Sequence, residues 1–230
     1  MDIAQGDYLM MLDSDDWLEL SAISIVLEKI NNTTFDLLQY GCNKVHDQKI
    51  ESNLYTDFSS SSMNLKQKRS TLLNIPNYAW LKVVRRAFIL EHSLQFQNIY
   101  YEDIPWSIAI IFAANEIEFC RHTLYNYRQR PDSIVYSQSP RHLDLLKAYE
   151  YVYSELKNKD KNQSLKRILN NSFINAAYYL HLQRKVRLGG NFIGDYATIF
   201  KRIVFTHKVY PSSLRALAMI SLVFMKLALD

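Results

Sequence analysis

The sequence predicts a mixed α/β domain over residues 1–138, followed by an all-helical region over residues 139–230. Two observations lead there. Up to about residue 135, short apolar or alternating runs that read as strands interleave with helix-spaced segments, whereas beyond Ser139 apolar residues recur only at helical spacing. The chain has 230 residues, 48% of them hydrophobic and 22% charged, which suits one large domain or a medium domain with a helical appendage.

The elements follow in order. Tyr8–Leu12 (YLMML) is an apolar run that ends in acidic residues and reads as a buried strand. Asp16 is placed to cap a helix from Trp17 to Ile30, with Leu18, Ala22, Ile23, Val26, Leu27 and Ile30 on one face. Phe35–Val45 reads as a strand, followed by a polar excursion through Ser62 that includes the short run Ser59–Ser62. Leu65–Leu73 reads as a helix stopped near Pro76. Tyr78–Val84 reads as extended, Arg86–His92 as a short helix and Leu94–Tyr101 as a loop. Pro105 suits the first turn of a helix over Trp106–Ala114, capped near Asp103. Ile117–Tyr127 is β-rich. Helical spacing then covers His142–Leu156, Leu165–Leu182, Phe192–Val204 and Leu214–Leu229, with the change of period near Ser133–Pro140. Tyr149, Tyr151 and Tyr153 fit a helix packing face better than a platform for a sugar.

Charge and composition narrow the function. Lys and Arg number 27 against 23 Asp and Glu, a net +4 that lacks the dense basic stripe expected of a nucleic-acid binder. Cys42 and Cys120 lie far apart and form no metal-type spacing, and the histidines form no ligand spacing either. Met1–Gly6 has no basic start followed by an apolar run, and no stretch has transmembrane length. The expected setting is a reducing cytoplasm.

Asp13-Ser14-Asp15-Asp16 is the strongest chemical signal. Three carboxylates within four residues repel one another unless a cation or hydrogen-bond donors compensate them. At the carboxyl end of an α/β strand they stand where such folds place ligands. Asp13 and Asp15 can both reach a hard divalent ion, and an oxygen-only set favours Mg²⁺ or Mn²⁺. A helix cap with spare surface acids explains the cluster equally well when it is taken alone. A calcium loop of the EF-hand type does not, because Leu18 and Ser24 stand where it needs Gly and Glu. A metal-dependent phosphohydrolase of the haloacid dehalogenase type also starts with a strand and D-x-D. Trp17 departs from its pattern, and Glu102-Asp103 is a poor stand-in for its later paired acids.

The segment Ala4–Glu19 (AQGDYLMMLDSDDWLE) closely resembles the D-x-D region of family 2 inverting glycosyltransferases of the GT-A fold. The resemblance continues in chain order. Ala79–Arg86 (AWLKVVRR) resembles that family's Trp-x-Lys strand, and Tyr101–Trp106 (YEDIPW) its Glu-Asp motif opening a helix. Leu124–Ile134 (LYNYRQRPDSI) resembles its closing Tyr-x-Tyr-Arg-x-Arg-x-x-Ser strand and loop, with Asp132 where the family often has Gly. Four motifs in order over about 130 residues make chance a poor explanation. The helical tail is similar to those of enzymes that build surface polysaccharides, without a diagnostic motif.

The resemblance implies a Rossmann-like GT-A domain that transfers a sugar with inversion from a nucleotide-sugar donor to a glycan or lipid-linked acceptor. It implies that Asp13 and Asp15 face the donor and a Mn²⁺ or Mg²⁺ ion, with Asp16 sharing or supporting that role. Asp103 would be the general base and Glu102 would orient it or the acceptor. A helix cap with dipole-stabilised acids is the plain alternative for that pair. Arg128 and Arg130 would hold the diphosphate, or else belong to a solvated loop. Trp80 and Lys82 would line the acceptor side, although a buried Trp beside an exposed Lys is equally common in strands. In this family a nucleotide-binding half precedes the D-x-D strand, and residues 1–12 carry none of it. The expected domain is therefore incomplete, with an open sheet edge, and a non-catalytic remnant or interaction module is the rival reading. The last helix, Leu214–Leu229, is expected to meet the inner face of the cytoplasmic membrane without crossing it, or simply to pack on its neighbours.

Overall fold

The computed structural model describes residues 3–46, 49–57, 63–131, 133, 137–156, 163–183, 187–188 and 192–227. Asp132, Ile134, the run Ser59–Ser62 and residues 228–230 lie outside them. The chain divides into two compact units, Met1–Gln95 with Trp106–Ser133, and Phe96–Pro105 with Ile134–Asp230. The segment bearing Glu102 and Asp103 thus groups with the helical part.

The first unit is built on six strands: β1 (Tyr8–Met10), β2 (Trp17–Leu18), β3 (Leu37–His46), β4 (Lys49–Leu54), β5 (Lys82–Arg85) and β6 (Ile117–Arg128). Their order is β1-β5-β3-β6-β2, with β4 also paired to β3. β3 and β6 run parallel, and the remaining pairs are antiparallel. The first six residues of β3, LLQYGC, are all buried, as expected of a strand with neighbours on both sides. Asp36, just before it, fixes the register. Its carboxylate accepts from Arg85 at 2.6 Å and from the N–H groups of Asn115 and Glu116 at 2.9 and 3.1 Å. Gly41 is required where β4 closes on β3, because a Cβ there would stand 2.2 Å from Thr56 Cγ2 and 2.7 Å from the Leu54 carbonyl oxygen. Cys42 and Cys120 are free thiols buried in this core, and burial pushes Cys42 up to about 12.

The helices of this unit are α1 (Ala22–Asn32), α2 (Leu65–Leu73), α3 (Arg86–Glu91) and most of α4 (Asp103–Ala113). α2 has the expected bounds, set by a capping box in which Asn64 and Gln67 exchange side-chain and backbone hydrogen bonds at 3.0 and 2.9 Å. Three expectations are corrected. Trp17 does not open a helix: Trp17 and Leu18 pair with Asn126 and Tyr125 of β6, and the Glu19 N–H continues to the Leu124 carbonyl, so α1 waits until Ala22. The polar excursion after β3 contains β4, which pairs antiparallel with β3. A 3-10 turn over Ala79–Leu81 interrupts the extended run expected at Tyr78–Val84.

The second unit holds α5 (Asp144–Leu156), α6 (Gln163–Leu182), α7 (Ile193–His207) and α8 (Leu214–Leu227). A 3-10 turn over Pro140–Leu143, capped by the Ser139 hydroxyl, leads into α5. Its core is aromatic: Phe173 lies 5.6 Å from Tyr149 and 5.9 Å from Phe200, which in turn lies 5.4 Å from Phe224. Tyr149 and Tyr153 are buried with their hydroxyls on Ser172 and Asn170, at 2.8 and 3.1 Å.

Candidate active site

The acidic tetrad forms the turn between β1 and β2, closed by the Asp16 N–H on the Asp13 carbonyl at 3.2 Å. Strand β6 holds that turn from beside it. The Tyr125 hydroxyl accepts the Asp13 N–H at 3.1 Å and donates to Asp16 Oδ2 at 2.8 Å, while Asp16 Oδ1 accepts the Arg128 N–H at 2.8 Å. Both oxygens of Asp16 are therefore engaged by the fold. Burial pushes its carboxyl above the usual range, against the pull of those two donors. Asp13 is exposed and Asp15 half-buried. Asp15 pairs with Arg130, Nη2 to Oδ2 at 2.8 Å, and the Arg128 guanidinium lies 5.4 Å from the centre of the Trp17 ring. Asp15 and Arg130 thus pair at a turn that also carries the exposed Asp13, with Arg128 over the neighbouring Trp17 ring.

Trp80 and Lys82 stand behind this turn rather than at its surface. Trp80 is buried, stacked between Tyr78 at 4.7 Å and Tyr125 at 4.4 Å, with Tyr127 tilted at 5.0 Å. Lys82 is also buried, and its ammonium donates to the Tyr78 carbonyl at 2.8 Å. In this position the aromatic stack sets the ring of Tyr125 and hence its hydroxyl.

Glu102 is exposed and Asp103, half-buried, is the first residue of α4. The turn that presents them is held by Tyr101 of the same motif together with residues that no motif singled out. Tyr101 has a left-handed backbone, φ 63°, unusual for an aromatic residue and sustained only where the surroundings fix it. The His142 Nε2 faces the Ser137 carbonyl at 2.8 Å and so carries the proton, which leaves Nδ1 to accept from the Tyr101 hydroxyl at 2.7 Å. Burial pushes His142 down, opposed by the Ser137 carbonyl and reinforced by the Arg187 charge, so it is neutral at pH 7. Asp144 accepts the Tyr100 N–H at 3.1 Å, and the Arg141 guanidinium covers the Tyr100 ring at 3.9 Å. A lone histidine carries no sequence signal for such a role.

Comparison with known proteins gives this geometry a lineage. No protein-family model matches the chain. Among solved structures, Staphylococcus aureus TarS 1-349 in complex with UDP-GlcNAc superposes with a TM-score of 0.65 at 18% identity, covering 86% of this chain and 59% of that one. A longer TarS structure gives 0.62 at 15% identity, over 95% of this chain and 36% of its own. This chain has a glycosyltransferase fold. Two curated glycosyltransferase relatives agree with it in sequence. One is the cholesterol galactosyltransferase of Borreliella burgdorferi, 23% identical over 167 residues, or 60% of this chain and 42% of that protein. The other is EpsH of Bacillus subtilis, assigned as a glycosyltransferase, 25% identical over 144 residues, or 59% of this chain and 41% of that protein. The chain thus spans about two-fifths of the length of the curated relatives it matches. Among the described residues of this glycosyltransferase fold, no three His, Cys, Asp or Glu side chains gather into a group able to hold a metal. A site for Mg²⁺ or Mn²⁺ would therefore be a shared one, because such ions commonly take one or two carboxylates and complete their shell with substrate phosphates and water. Asp13 and Asp15 fit that pattern.

Proposed function

We propose that the chain belongs to an enzyme that moves a sugar, with inversion, from a nucleotide-sugar donor to a glycan or lipid-linked acceptor of a surface polysaccharide. The observation that carries this reading is the turn Asp13–Asp16 locked to β6, with Arg128 and Arg130 beside it, on a fold shared with a protein solved with UDP-GlcNAc. Arg128 and Arg130 grip the donor diphosphate, for which planar guanidinium groups suit paired oxygens. Asp13 and Asp15 would hold a Mn²⁺ or Mg²⁺ ion, which would supply Lewis-acid relief of the leaving charge. Asp16 keeps the turn in place. Asp103 takes the proton of the acceptor hydroxyl as its oxygen attacks the anomeric carbon. The bond from that carbon to the diphosphate breaks, and the diphosphate leaves with the electron pair. Glu102 orients the acceptor or Asp103. A cytoplasmic setting suits such a donor.

One experiment separates donor handling from proton transfer. Binding of UDP-, GDP- and dTDP-sugars with Mn²⁺ is followed by calorimetry, and transfer by release of nucleoside diphosphate, in the wild type, Asp15→Ala and Asp103→Asn. Asp15→Ala should lose metal-dependent donor binding. Asp103→Asn should keep it and lose roughly a hundred- to ten-thousand-fold in rate. Near-normal turnover by Asp103→Asn would move the base elsewhere. In a form that carries the nucleotide-binding half, a wild type that neither binds nor turns over any donor would favour a non-catalytic interaction module.

A further inference from the structure

The end of α7 and the outer face of α8 combine exposed apolar side chains with positive charge. On α8, Leu214, Leu217, Leu222 and Met225 are 86%, 50%, 38% and 56% exposed, while Ala216, Ile220 and Val223 are buried on the opposite side. The exposed residues recur at helical spacing, so they form one stripe rather than scattered surface leucines. Phe205 of α7, 71% exposed, continues it, because its ring lies 6.2 Å from Phe224, one heptad on from Leu217 along α8. Tyr210, 68% exposed, lies on the connection between the two helices. Between Asp195 and Asp230 the sequence contains no Asp or Glu, yet it carries Lys201, Arg202, Lys208, Arg215 and Lys226. Arg202 is held by Glu150 in a two-pronged ion pair at 2.7 Å. Lys201, Lys208, Arg215 and Lys226 are exposed.

We infer that this face docks on the surface of an anionic lipid bilayer, with the apolar stripe entering the headgroup boundary and the lysine and arginine side chains meeting lipid phosphates. Apolar residues between cations are what a helix lying in the interface plane requires. With 14 residues, α8 is about 21 Å long, short of the ~30 Å hydrocarbon core, so it lies on the bilayer rather than across it. A second copy of the chain is a poorer occupant, since it would bring together two copies of a stretch that carries cations and no Asp or Glu. A nucleic acid would leave the leucines without a partner. The inference does not depend on the transferase reading and is tested without donor or acceptor.

The test is flotation of the whole chain with vesicles of phosphatidylcholine mixed with phosphatidylglycerol, and with phosphatidylcholine alone. The protein should float with the anionic vesicles only, and less as salt is raised. The triple variant Leu214→Ser, Leu217→Ser, Met225→Ser should float about tenfold less, and Arg215→Gln with Lys226→Gln should weaken flotation without abolishing it. These side chains are exposed, so circular dichroism should show the variants folded. Absence of flotation, or equal flotation of the triple variant, would overturn the inference. So would sedimentation showing reversible self-association that the same triple variant removes, which would make the face an interface between copies.

Discussion

The two acidic segments of the molecule are held in opposite ways. At the turn Asp13–Asp16 the residues that resemble a family motif hold one another: Asp16, Tyr125 and Arg128 bond across 109 and 112 positions of sequence, and all belong to recognised segments. At Glu102-Asp103 the motif residues are held by others. Their presentation depends on a left-handed Tyr101 and on His142, Asp144 and Arg141, which come from the helical unit and match no pattern. The first arrangement is self-contained within a sheet. The second ties the candidate base to the start of a helical region that motif reading treats as an appendage.

That contrast can be broken experimentally, most sharply at Tyr125. Tyr125→Phe removes one hydroxyl that serves both the Asp13 N–H and the Asp16 carboxylate, and it should cost about 2 kcal/mol in urea denaturation, since each loses a bond. Hydrogen exchange should rise in residues 11–19 and stay unchanged in residues 100–104. Equal disturbance of both segments would mean they are not held independently.

A smaller effect is expected from acid. The folded-state pKa of His142 lies below its ordinary 6.5. Its contribution to stability is therefore complete above that value, and is lost as pH falls through 6.5 towards the folded pKa. Protonation at Nδ1 also removes the acceptor for the Tyr101 hydroxyl. Exchange in residues 100–104, corrected for intrinsic rates, should quicken between about pH 7 and about pH 5.5 in the wild type. In His142→Phe it should be fast at both. A pH-independent wild type would show that the histidine does not pin this turn.

The least effect belongs to Arg130. Its pair with Asp15 is half exposed, so Arg130→Gln should shift stability by less than about 0.5 kcal/mol in thermal unfolding. A larger loss would make the pair part of the scaffold, and not a group available to a donor.

Much of the fold was legible because burial imposes a period. The apolar run at Phe35–Val45, the β-rich Ile117–Tyr127 and the helix-spaced tail all appear close to their expected bounds. The misses have a physical cause. Trp17-Leu18 looked helical because local pattern favours a capped helix, but pairing with β6 offers those two residues a sheet edge. Lys49–Leu54 looked like loop because its residues are mostly polar and none of those described is buried, so only the pairing with β3 makes it a strand. At the site, residue identity was readable and placement was not. Nothing local says that Lys82 turns its ammonium onto the Tyr78 carbonyl, or that both Asp16 oxygens are consumed by β6. His142 and Asp144 gain their meaning only when a distant loop is folded against them.

The two core cysteines bear on how this protein can be watched. With both thiols buried and burial pushing both above the ordinary thiol range, little thiolate is present at neutral pH, so maleimide and spin-label reagents should react slowly with either. A cysteine introduced at exposed Glu28 of α1 and another at exposed Ser154 of α5 would then carry a label pair whose distance reports one unit against the other, in the otherwise unaltered chain.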